Sequence, residues 1–313
     1  MQRGVVLDCA RKWYTPDFIF SLLELMGQTK CTHLQLHFSD NEGYRIESDV
    51  CKKLVSAKHY TKHEIQQFQE FARARKITII PEFDSPGHLR HFLTVYPQYR
   101  LSEETASMIP LAHAADVTHP DFVEHVKELL TEIMELFDAS PIVHLGGDEV
   151  VDWTNLASLP STIQEKVSSK RQVDYLNTLA RFVEKQGKVA RIWNDGCYRE
   201  DTDCLLKPSI EIAYWTRWQA EMAPVETFLD KGHRVFNYND NALYFVLGEA
   251  AGYNYPTIER LQAFTPQTFA QNQKLTTPPA GIYFSIWGDR PEALTQEQVL
   301  QQITPLLYEL AKK

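Results

Sequence analysis

Two adjacent acidic residues, Asp148 and Glu149, are the strongest candidates for catalysis in this chain. They follow a short apolar run that predicts a buried strand, and Gly146 and Gly147 just before them leave room for a ligand to approach the backbone. Like charges repel, and burial raises the pKa of a carboxyl group, so a chain that keeps two acids together at a strand end is expected to use them. The pair therefore predicts acid–base catalysis.

The spacing of apolar residues predicts that this acid pair lies at the end of one strand of an α/β barrel. Strand-like runs alternate with helical stretches along the chain, and the runs lie at residues 5–8, 33–38, 77–83, 142–145, 190–193, 210–215, 235–238 and 281–287. This alternation predicts a (β/α)8 TIM barrel, with residues 1–313 as a single catalytic domain and no N-terminal accessory domain. An open doubly wound sheet is the alternative, but no glycine-rich phosphate loop follows the first strand.

Helices and loops fill the segments between those strands. Apolar residues at helical spacing, with start signals such as Thr15 and Thr61, predict helices after Thr61 and at residues 16–26, 120–137, 173–186, 225–229 and 297–311. The long segments 41–60, 84–119 and 239–280 lack such periodicity. Long loops that follow barrel strands line the active face, so these three segments are expected to shape the site.

Polar and aromatic side chains recur just after the predicted strands. The carboxyl ends of barrel strands meet at one face, so these side chains are expected to line a common pocket. Carboxylates can move protons, an arginine can bind hydroxyl groups and indole rings can stack on sugar faces, so the set favours a sugar hydrolase. The candidates are Arg11, Asp40, His88, His144, Asp148, Glu149, Trp193, Trp215, Tyr244, Trp287 and Asp289.

A metal-dependent hydrolase is the alternative use of the histidines, chiefly His37, His88 and His144. Spacings typical of zinc sites, such as His-x-His on a strand or HExxH on a helix, are absent from the sequence. His33 and His37 share one face of a strand but are too far apart to bind one ion readily. We therefore expect neither a metal nor another cofactor.

The motif His-Leu-Gly-Gly-Asp-Glu at 144–149 resembles the signature of glycoside hydrolase family 20, the β-N-acetylhexosaminidases. Segments 7–14, 37–40, 81–88, 193–196, 214–215 and 285–288 resemble further motifs of that family in the same order, so the resemblance covers nearly the whole chain. It is greatest to single-domain members, which begin directly at the barrel. The resemblance implies a retaining mechanism in which the 2-acetamido oxygen of the substrate attacks the anomeric carbon and forms an oxazolinium ion.

The resemblance also implies roles for the residues nearest the reaction. Glu149 is expected to be the general acid and afterwards the base that activates water. Asp148 is expected to stay ionised and to orient the acetamido group. Tyr244 is expected to donate a hydrogen bond to the acetamido oxygen, although the preceding segment 240–242 departs from the tyrosine-rich family pattern. Arg11 is expected to bind the hydroxyl groups of the terminal sugar.

The walls of the sugar pocket are implied in the same way. Trp193, Trp215 and Trp287 are expected to enclose the acetamido group and one face of the sugar. Asp289 stands where single-domain members carry a glutamate that binds the 4- and 6-hydroxyls. Its shorter side chain leaves the preference between gluco and galacto epimers open.

Three further polar residues and one tryptophan complete the expected site. Asp40, His88 and His144 are implied in substrate binding, and their hydrogen bonds can also orient the catalytic acids. Either Trp153 or Trp218 is expected to contact the leaving group. For each histidine, a hydrogen-bonded buried role is an equal alternative.

Composition excludes some other classes of function. The net charge of −9, with no basic face evident, argues against nucleic acid as a partner. No apolar run approaches the ~18 residues that a membrane span needs. No signal peptide is recognisable at the start of the sequence, which predicts a cytoplasmic location unless a leader has been removed. The five cysteines match no zinc or CxxC spacing and are expected to be reduced thiols.

The sequence thus predicts an exo-β-N-acetylhexosaminidase that releases terminal N-acetylglucosamine from oligo- or polysaccharides, with N-acetylgalactosamine as a second candidate product. Two alternatives remain open. One is a hydrolase of β-1,6-linked poly-N-acetylglucosamine, which the resemblance to single-domain members implies. The other is a sugar-binding barrel without turnover, against which the intact acid pair argues.

Overall fold

In the computed structural model, which describes residues 1–105, 107, 109–199 and 205–313, eight parallel strands close into a barrel surrounded by helices. The first barrel strand pairs on one side with the second and on the other with the last, so that Val5 lies opposite both Leu34 and Phe284. This closure confirms the predicted (β/α)8 barrel. The strands are β1 (Gln2–Asp8), β2 (His33–His37), β3 (Ser39–Asp40), β4 (Gly43–Tyr44), β5 (Thr78–Glu82), β6 (Ile142–His144), β7 (Val189–Trp193), β8 (Glu211–Tyr214), β9 (Val235–Asn237), β10 (Tyr244–Val246) and β11 (Gly281–Trp287).

The helices begin at the residues whose side chains can cap them. Thr15 accepts a hydrogen bond from the first turn of the first long helix, and Thr61 forms a capping box with Glu64 at the start of the second. The α-helices are α1 (Pro16–Gln28), α2 (Lys62–Ala74), α3 (Arg90–Val95), α4 (Pro120–Leu136), α5 (Ser161–Val167), α6 (Ser169–Lys185), α7 (Val225–Asp230), α8 (Asp240–Leu243), α9 (Ile258–Ala263) and α10 (Gln296–Leu310). Short 3-10 helices lie at Pro97–Tyr99, Leu111–His113, Trp153–Ser158, Leu247–Gly252 and Ala270–Asn272.

The sequence predicted one strand and then a long loop before β11. The structure instead has the short helix α8 and the strand β10 directly after β9. The side chain of Asn239 accepts hydrogen bonds from the next backbone N–H groups and starts the short helix α8, which ends β9. The chain then returns to the wall as β10. The last strand pairs with β9 at Gly281 and with β10 at Ser285, which lies opposite Tyr244. This interruption places Tyr244 at the carboxyl end of the barrel.

Polar side chains run through the interior of the barrel toward that end. Arg191 forms an ion pair with Glu211 at 2.7 Å and donates a hydrogen bond to the hydroxyl of Tyr238. Tyr238 donates to Gln35, which in turn donates to Glu82 at 2.8 Å. All five side chains are almost completely buried. The buried groups are therefore hydrogen-bonded to one another, as burial of polar atoms requires.

Two further expectations concern membranes and cysteines. Among the described residues, none of the helices has both the length and the apolar character that crossing a membrane takes. Cys9, Cys31, Cys51 and Cys197 are buried free thiols, as expected, whereas Cys204 lies outside the described residues.

Candidate active site

The carboxyl ends of the barrel strands surround a cavity of about 400 Å³, within the ~300–1,000 Å³ typical of small-molecule sites. Its wall combines acids, an arginine and several aromatic rings. All the predicted site residues except His144 line it, namely Arg11, Asp40, His88, Asp148, Glu149, Trp193, Trp215, Tyr244, Trp287 and Asp289.

The turn that carries the acid pair depends on its glycines. Gly146 has φ 73°, and a Cβ atom there would lie 1.8 Å from Asp84 Oδ1, so no other residue fits without displacing that carboxyl. Glu149 also has a left-handed backbone, with φ 43°. Its N–H donates to Asp195 Oδ2 at 3.0 Å, and Gln172 donates to the carbonyl of Gly147 at 2.6 Å. The turn is thus held on both sides.

His88 connects the acid pair to a carboxylate from the hairpin after β2. Its Nδ1 lies 3.1 Å from Asp40 Oδ1, and its Nε2 lies 3.3 Å from Glu149 Oε2 and 3.5 Å from Asp148 Oδ2. Burial by itself disfavours the imidazolium, but the neighbouring acids, Asp40 foremost, outweigh burial and raise the pKa of His88 well above its usual value. A cation therefore lies between the catalytic candidates.

Asp148 is buried close to other acidic groups. Burial raises the pKa of its carboxyl well above the usual range, and the nearby Asp84 raises it further. Burial also raises the pKa of Asp84, to about 7. Asp148 Oδ1 is buried and, among the described residues, has no hydrogen-bond partner. His88 opposes this shift, so the ionisation of Asp148 depends on the balance between burial beside a second acid and the adjacent imidazole.

Arg11 and Asp289 line the cavity beside Trp287, with the guanidinium of Arg11 5.6 Å from the centre of the Trp287 ring. Arg11 forms ion pairs with Asp8 at 3.0 Å and with Asp40 at 2.7 Å, while 18% of its side chain stays exposed. Asp8 also accepts a hydrogen bond from the backbone N–H of Gly288, which joins the ends of β1 and β11. Burial raises the pKa of Asp289, and Arg11 partly opposes that shift. This part of the cavity offers both donors and acceptors for sugar hydroxyls.

Aromatic rings form much of the remaining wall. Trp215 and Tyr244 are nearly parallel, with centroids 5.9 Å apart, and Trp287 lies 5.7 Å from Tyr244 and 6.0 Å from Trp193. The indole N–H of Trp215 donates to Asp195, the same carboxylate that accepts from the backbone of Glu149. Trp193 donates to Glu82 at 2.8 Å. The rings of Trp193 and Trp215 are therefore fixed by buried carboxylates behind them.

His144 is the one predicted substrate-binding residue that the structure places elsewhere. It is completely buried beneath the cavity, with its ring 4.6 Å from that of Trp193. Its Nδ1 accepts from the N–H of Gly146 and lies 3.3 Å from Glu82, and burial lowers its pKa to about 3. The predicted substrate contact is therefore corrected: His144 is a neutral residue that supports the turn before the acids and the indole of Trp193.

Four residues that line the cavity come from segments whose roles the sequence left vague. Val246, Ala251 and Tyr253 belong to the long segment after β9, which was expected to shape the site but showed no pattern that singled them out. Trp218 lines the cavity, whereas Trp153 packs with Val151 and other apolar side chains away from it. Of the two tryptophans considered for the leaving-group side, only Trp218 is therefore placed to serve.

Two clusters, His37–Glu82–Asp84 and Asp84–His88–Asp148, bring possible metal ligands within 4.8 Å of one another. A histidine must be unprotonated to bind a metal. Nearby carboxylates outweigh burial and raise the pKa values of His37 and His88 well above the usual value, which favours the imidazolium forms and their ion pairs with the acids. We interpret both clusters as ion-pair networks that hold the pocket.

The model of the catalytic domain of glycosyl hydrolase family 20 matches residues 1–311 of the chain. Two curated relatives are similar: a lacto-N-biosidase from Bifidobacterium bifidum, 26% identical over 96% of this chain, and a chitooligosaccharidolytic β-N-acetylglucosaminidase from Ostrinia furnacalis, 25% identical over 80%. The chain spans 27% and 46% of their respective lengths, less than half of each.

Solved structures show a similar fold. Dispersin B superposes on the chain with a TM-score of 0.82 and 25% sequence identity, and the match covers 100% of this chain and 98% of that one. The match therefore extends over the whole barrel.

Proposed function

Because this chain belongs to glycosyl hydrolase family 20, we propose that it is a retaining exo-β-N-acetylhexosaminidase that removes terminal β-linked N-acetylglucosamine, or N-acetylgalactosamine, from oligo- or polysaccharides, with the barrel as one catalytic domain. The observation that carries the proposal is the placement of Asp148 and Glu149 side by side on the wall of one small cavity. Adjacent acids cannot face each other across a glycosidic bond, as the two-carboxylate mechanisms require. They suit a reaction in which the substrate provides the nucleophile.

In the first step the acetamido oxygen attacks the anomeric carbon of its own sugar, and the glycosidic C–O bond breaks as Glu149 gives its proton to the departing oxygen. Asp148 accepts the acetamido N–H through Oδ1, which is otherwise unpartnered among the described residues. Positive charge on the forming oxazolinium favours the ionised form of Asp148, which burial otherwise disfavours. Tyr244 donates to the acetamido oxygen, since burial raises the pKa of its phenol and keeps it protonated.

In the second step water completes the reaction. Glu149, now a carboxylate, takes a proton from the water, whose oxygen attacks the anomeric carbon on the side the leaving group has vacated. The bond between the anomeric carbon and the acetamido oxygen breaks, and the acetamido group is restored. Two inversions at one carbon leave the sugar with its original β configuration.

The remaining wall binds the sugar itself. Arg11 and Asp289 take its hydroxyls, and Asp40 fixes the guanidinium of Arg11 through the ion pair at 2.7 Å. Trp193, Trp215 and Trp287 enclose the acetamido group and the apolar sugar face. The name of the chitooligosaccharidolytic relative from Ostrinia furnacalis supports an N-acetylglucosamine-containing substrate.

The second candidate substrate is β-1,6-linked poly-N-acetylglucosamine. The structural similarity to Dispersin B over nearly the full length of both chains supports this candidate. A panel of β-1,3-, β-1,4- and β-1,6-linked N-acetylglucosamine disaccharides separates the candidates by their relative kcat/KM.

The activity is tested with an aryl N-acetyl-β-glucosaminide. Glu149→Gln is expected to lose most turnover, at least ~100-fold in kcat, while still binding a thiazoline analogue of the cyclised intermediate. Glu124→Gln, on the exposed face of α4, is the matched control and should behave as wild type. Full turnover by Glu149→Gln, or equal rates on the matching glucoside without an acetamido group, contradicts the proposal. A wild-type protein that binds the analogue without turnover indicates the sugar-binding alternative.

A further inference from the structure

The segment 193–196, where β7 ends and the next loop begins, makes contacts that the mechanism above does not use. The backbone N–H of Trp193 donates to the carbonyl of Gly146 at 2.9 Å, so the end of β7 is paired with the turn before the acids. Asn194 and Asp195 come next, and each is only 2% exposed. Buried polar side chains need hydrogen-bond partners, and the partners of these two show what the segment holds.

Asn194 holds the backbone at the end of the neighbouring strand. Its side chain accepts from the backbone N–H of Trp215 at 2.8 Å and donates to the carbonyl of Thr216 at 2.9 Å. An amide can make both contacts because it carries one acceptor and one donor group. Asn194 therefore joins the end of β7 to the end of β8.

Asp195 holds two residues of the cavity at once. Its Oδ2 accepts from the backbone N–H of Glu149 and its Oδ1 accepts from the indole N–H of Trp215, both at 3.0 Å. An amide at this position would present one oxygen and one NH2 group, so one of the two N–H donors would face another donor. Only a side chain with two acceptor atoms therefore serves both partners.

The backbone of Glu149 needs such a contact. Its φ of 43° lies in the left-handed region, which residues other than glycine adopt at a cost and keep only where the surroundings maintain it. The hydrogen bond to Asp195 is of the strong kind, because the acceptor is a carboxylate. The side chain of Glu149 is 32% exposed, so packing around that side chain is incomplete and the backbone contact carries more of its placement.

Asp195 is itself fixed by its surroundings. Arg199 donates to the backbone carbonyl of Asp195 at 2.9 Å, and its guanidinium lies 5.2 Å from the centre of the Trp153 ring. Burial raises the pKa of Asp195 to about 6, and the hydrogen bonds from Glu149 and Trp215 oppose that shift. The carboxylate form therefore predominates at neutral pH.

We propose that Asp195 is a positioning residue that sets the proton donor Glu149 relative to the ring of Trp215. This inference rests on the function proposed above. The acetamido oxygen must attack while the glycosidic oxygen receives its proton, so the acetamido pocket and the proton donor have to be in place together. A carboxylate that binds the backbone of one and the indole of the other favours that arrangement.

The test compares two substrates that differ in their need for a proton. A phenyl N-acetyl-β-glucosaminide releases a basic phenolate and depends on the general acid, whereas the 2,4-dinitrophenyl glycoside releases a weakly basic anion and does not. Asp195→Asn keeps the size of the side chain. We expect it to lower kcat/KM about 30-fold on the phenyl glycoside and less than about fivefold on the dinitrophenyl glycoside, because the proton of Glu149 is misplaced while the pocket still binds.

Asn194→Ala is the matched comparison in the same loop. Asn194 is as buried as Asp195, but its side-chain hydrogen bonds go to Trp215 and Thr216 and not to Glu149. A variant that only disturbs the packing of the pocket should lose activity on both glycosides by the same factor, which is the result expected for Asn194→Ala. The same pattern in Asp195→Asn, or no loss on either substrate, overturns the role of Asp195.

A second variant tests the link if Asp195→Asn does not fold. Trp215→Phe keeps an aromatic ring but removes the indole donor to Asp195, and its loss on the phenyl glycoside should exceed its loss on the dinitrophenyl glycoside about threefold. Equal losses in Trp215→Phe overturn the link between the two residues. A wild-type protein that cleaves neither glycoside overturns the proposed function, whereas a wild type that cleaves both, with equal losses in the variants, overturns only the role of Asp195.

Discussion

His88 Nε2 lies 3.3 Å from Glu149 Oε2, and the opposite ring nitrogen lies 3.1 Å from Asp40. Asp40 in turn pairs with Arg11 at 2.7 Å and with His37 at 2.8 Å. Glu149, the proposed proton donor, is thus connected through one imidazole to Asp40, which holds Arg11, the proposed sugar-binding residue. The residues proposed for sugar binding and for proton transfer therefore belong to one ion-pair network, and His88 is the link between them.

The first prediction concerns that imidazole. His88→Asn is expected to lower kcat on an aryl N-acetyl-β-glucosaminide about 100-fold, because Glu149 loses the cation that holds its carboxyl. KM should change by less than about threefold, since Arg11 keeps its ion pair with Asp8. His63→Asn, on the exposed side of α2, is the control. A rise in KM with unchanged kcat would show that His88 serves binding instead.

The second prediction uses the buried acids. The pKa of Asp84 is raised to about 7 and that of Asp148 is also raised, so both hold protons in the folded protein that the unfolded chain releases near pH 4. Their contribution to the free energy of unfolding is therefore fully present below about pH 4 and is lost as the pH rises through the folded-state pKa values. Between about pH 5 and pH 8 the Tm of the wild type should fall more than that of Asp84→Asn, which carries no proton to lose. Parallel Tm curves would refute the raised pKa of Asp84.

Features of the fold and the site could be predicted from the sequence where they depend on residues close together in the chain. The eight strands and long helices follow from the periodicity of apolar residues, because burial of one face acts locally along the chain. The neighbourhood of the acid pair also follows, because the carboxyl ends of barrel strands meet. Asp195, which accepts from the N–H of Glu149, is 46 positions away, and nothing in its spacing reveals that contact. The sequence also could not show that the His144 side chain lies beneath the cavity. A motif gives residue types and not the face of the strand on which each side chain lies.

The segment after β9 was the least predictable part of the site. Asn239 ends the strand through side-chain hydrogen bonds that have no periodic signature. The left-handed residues that follow are Glu249 and Ala251, where the sequence offers no glycine as a signal. The contacts of Tyr255 and Arg290 maintain that conformation from outside. Tertiary contacts, and not local preference, therefore decide that Tyr253 reaches the cavity.

The third prediction separates two costs of replacing a glycine: the steric clash of the new side chain, and the strain of a left-handed backbone in a residue other than glycine. Gly146→Ala should destabilise the protein by about 3 kcal/mol or more, because the new Cβ meets Asp84 Oδ1 at 1.8 Å in a left-handed backbone. Gly187→Ala has a similar φ of 77° but no atom within 4 Å of its Cβ, so only the backbone cost of about 1 kcal/mol applies. Chemical denaturation of both variants measures the difference. Equal destabilisation would mean that the Asp84 contact relaxes freely.

The fourth prediction addresses the choice between epimers at the 4-hydroxyl. Asp289 lines the cavity together with Arg11, and its side chain is one methylene shorter than the glutamate expected at this position. Asp289→Glu should extend the carboxylate toward the sugar and replace a loose contact by a direct hydrogen bond. A site that hydrogen-bonds a hydroxyl directly rejects the wrong epimer more strongly, so the ratio of kcat/KM for the N-acetyl-β-glucosaminide to that for the galactosaminide should rise about tenfold. Asp289→Asn, of the same length as the natural residue, is the control for the loss of charge. An unchanged ratio in Asp289→Glu would place the discrimination between epimers on another residue of the pocket.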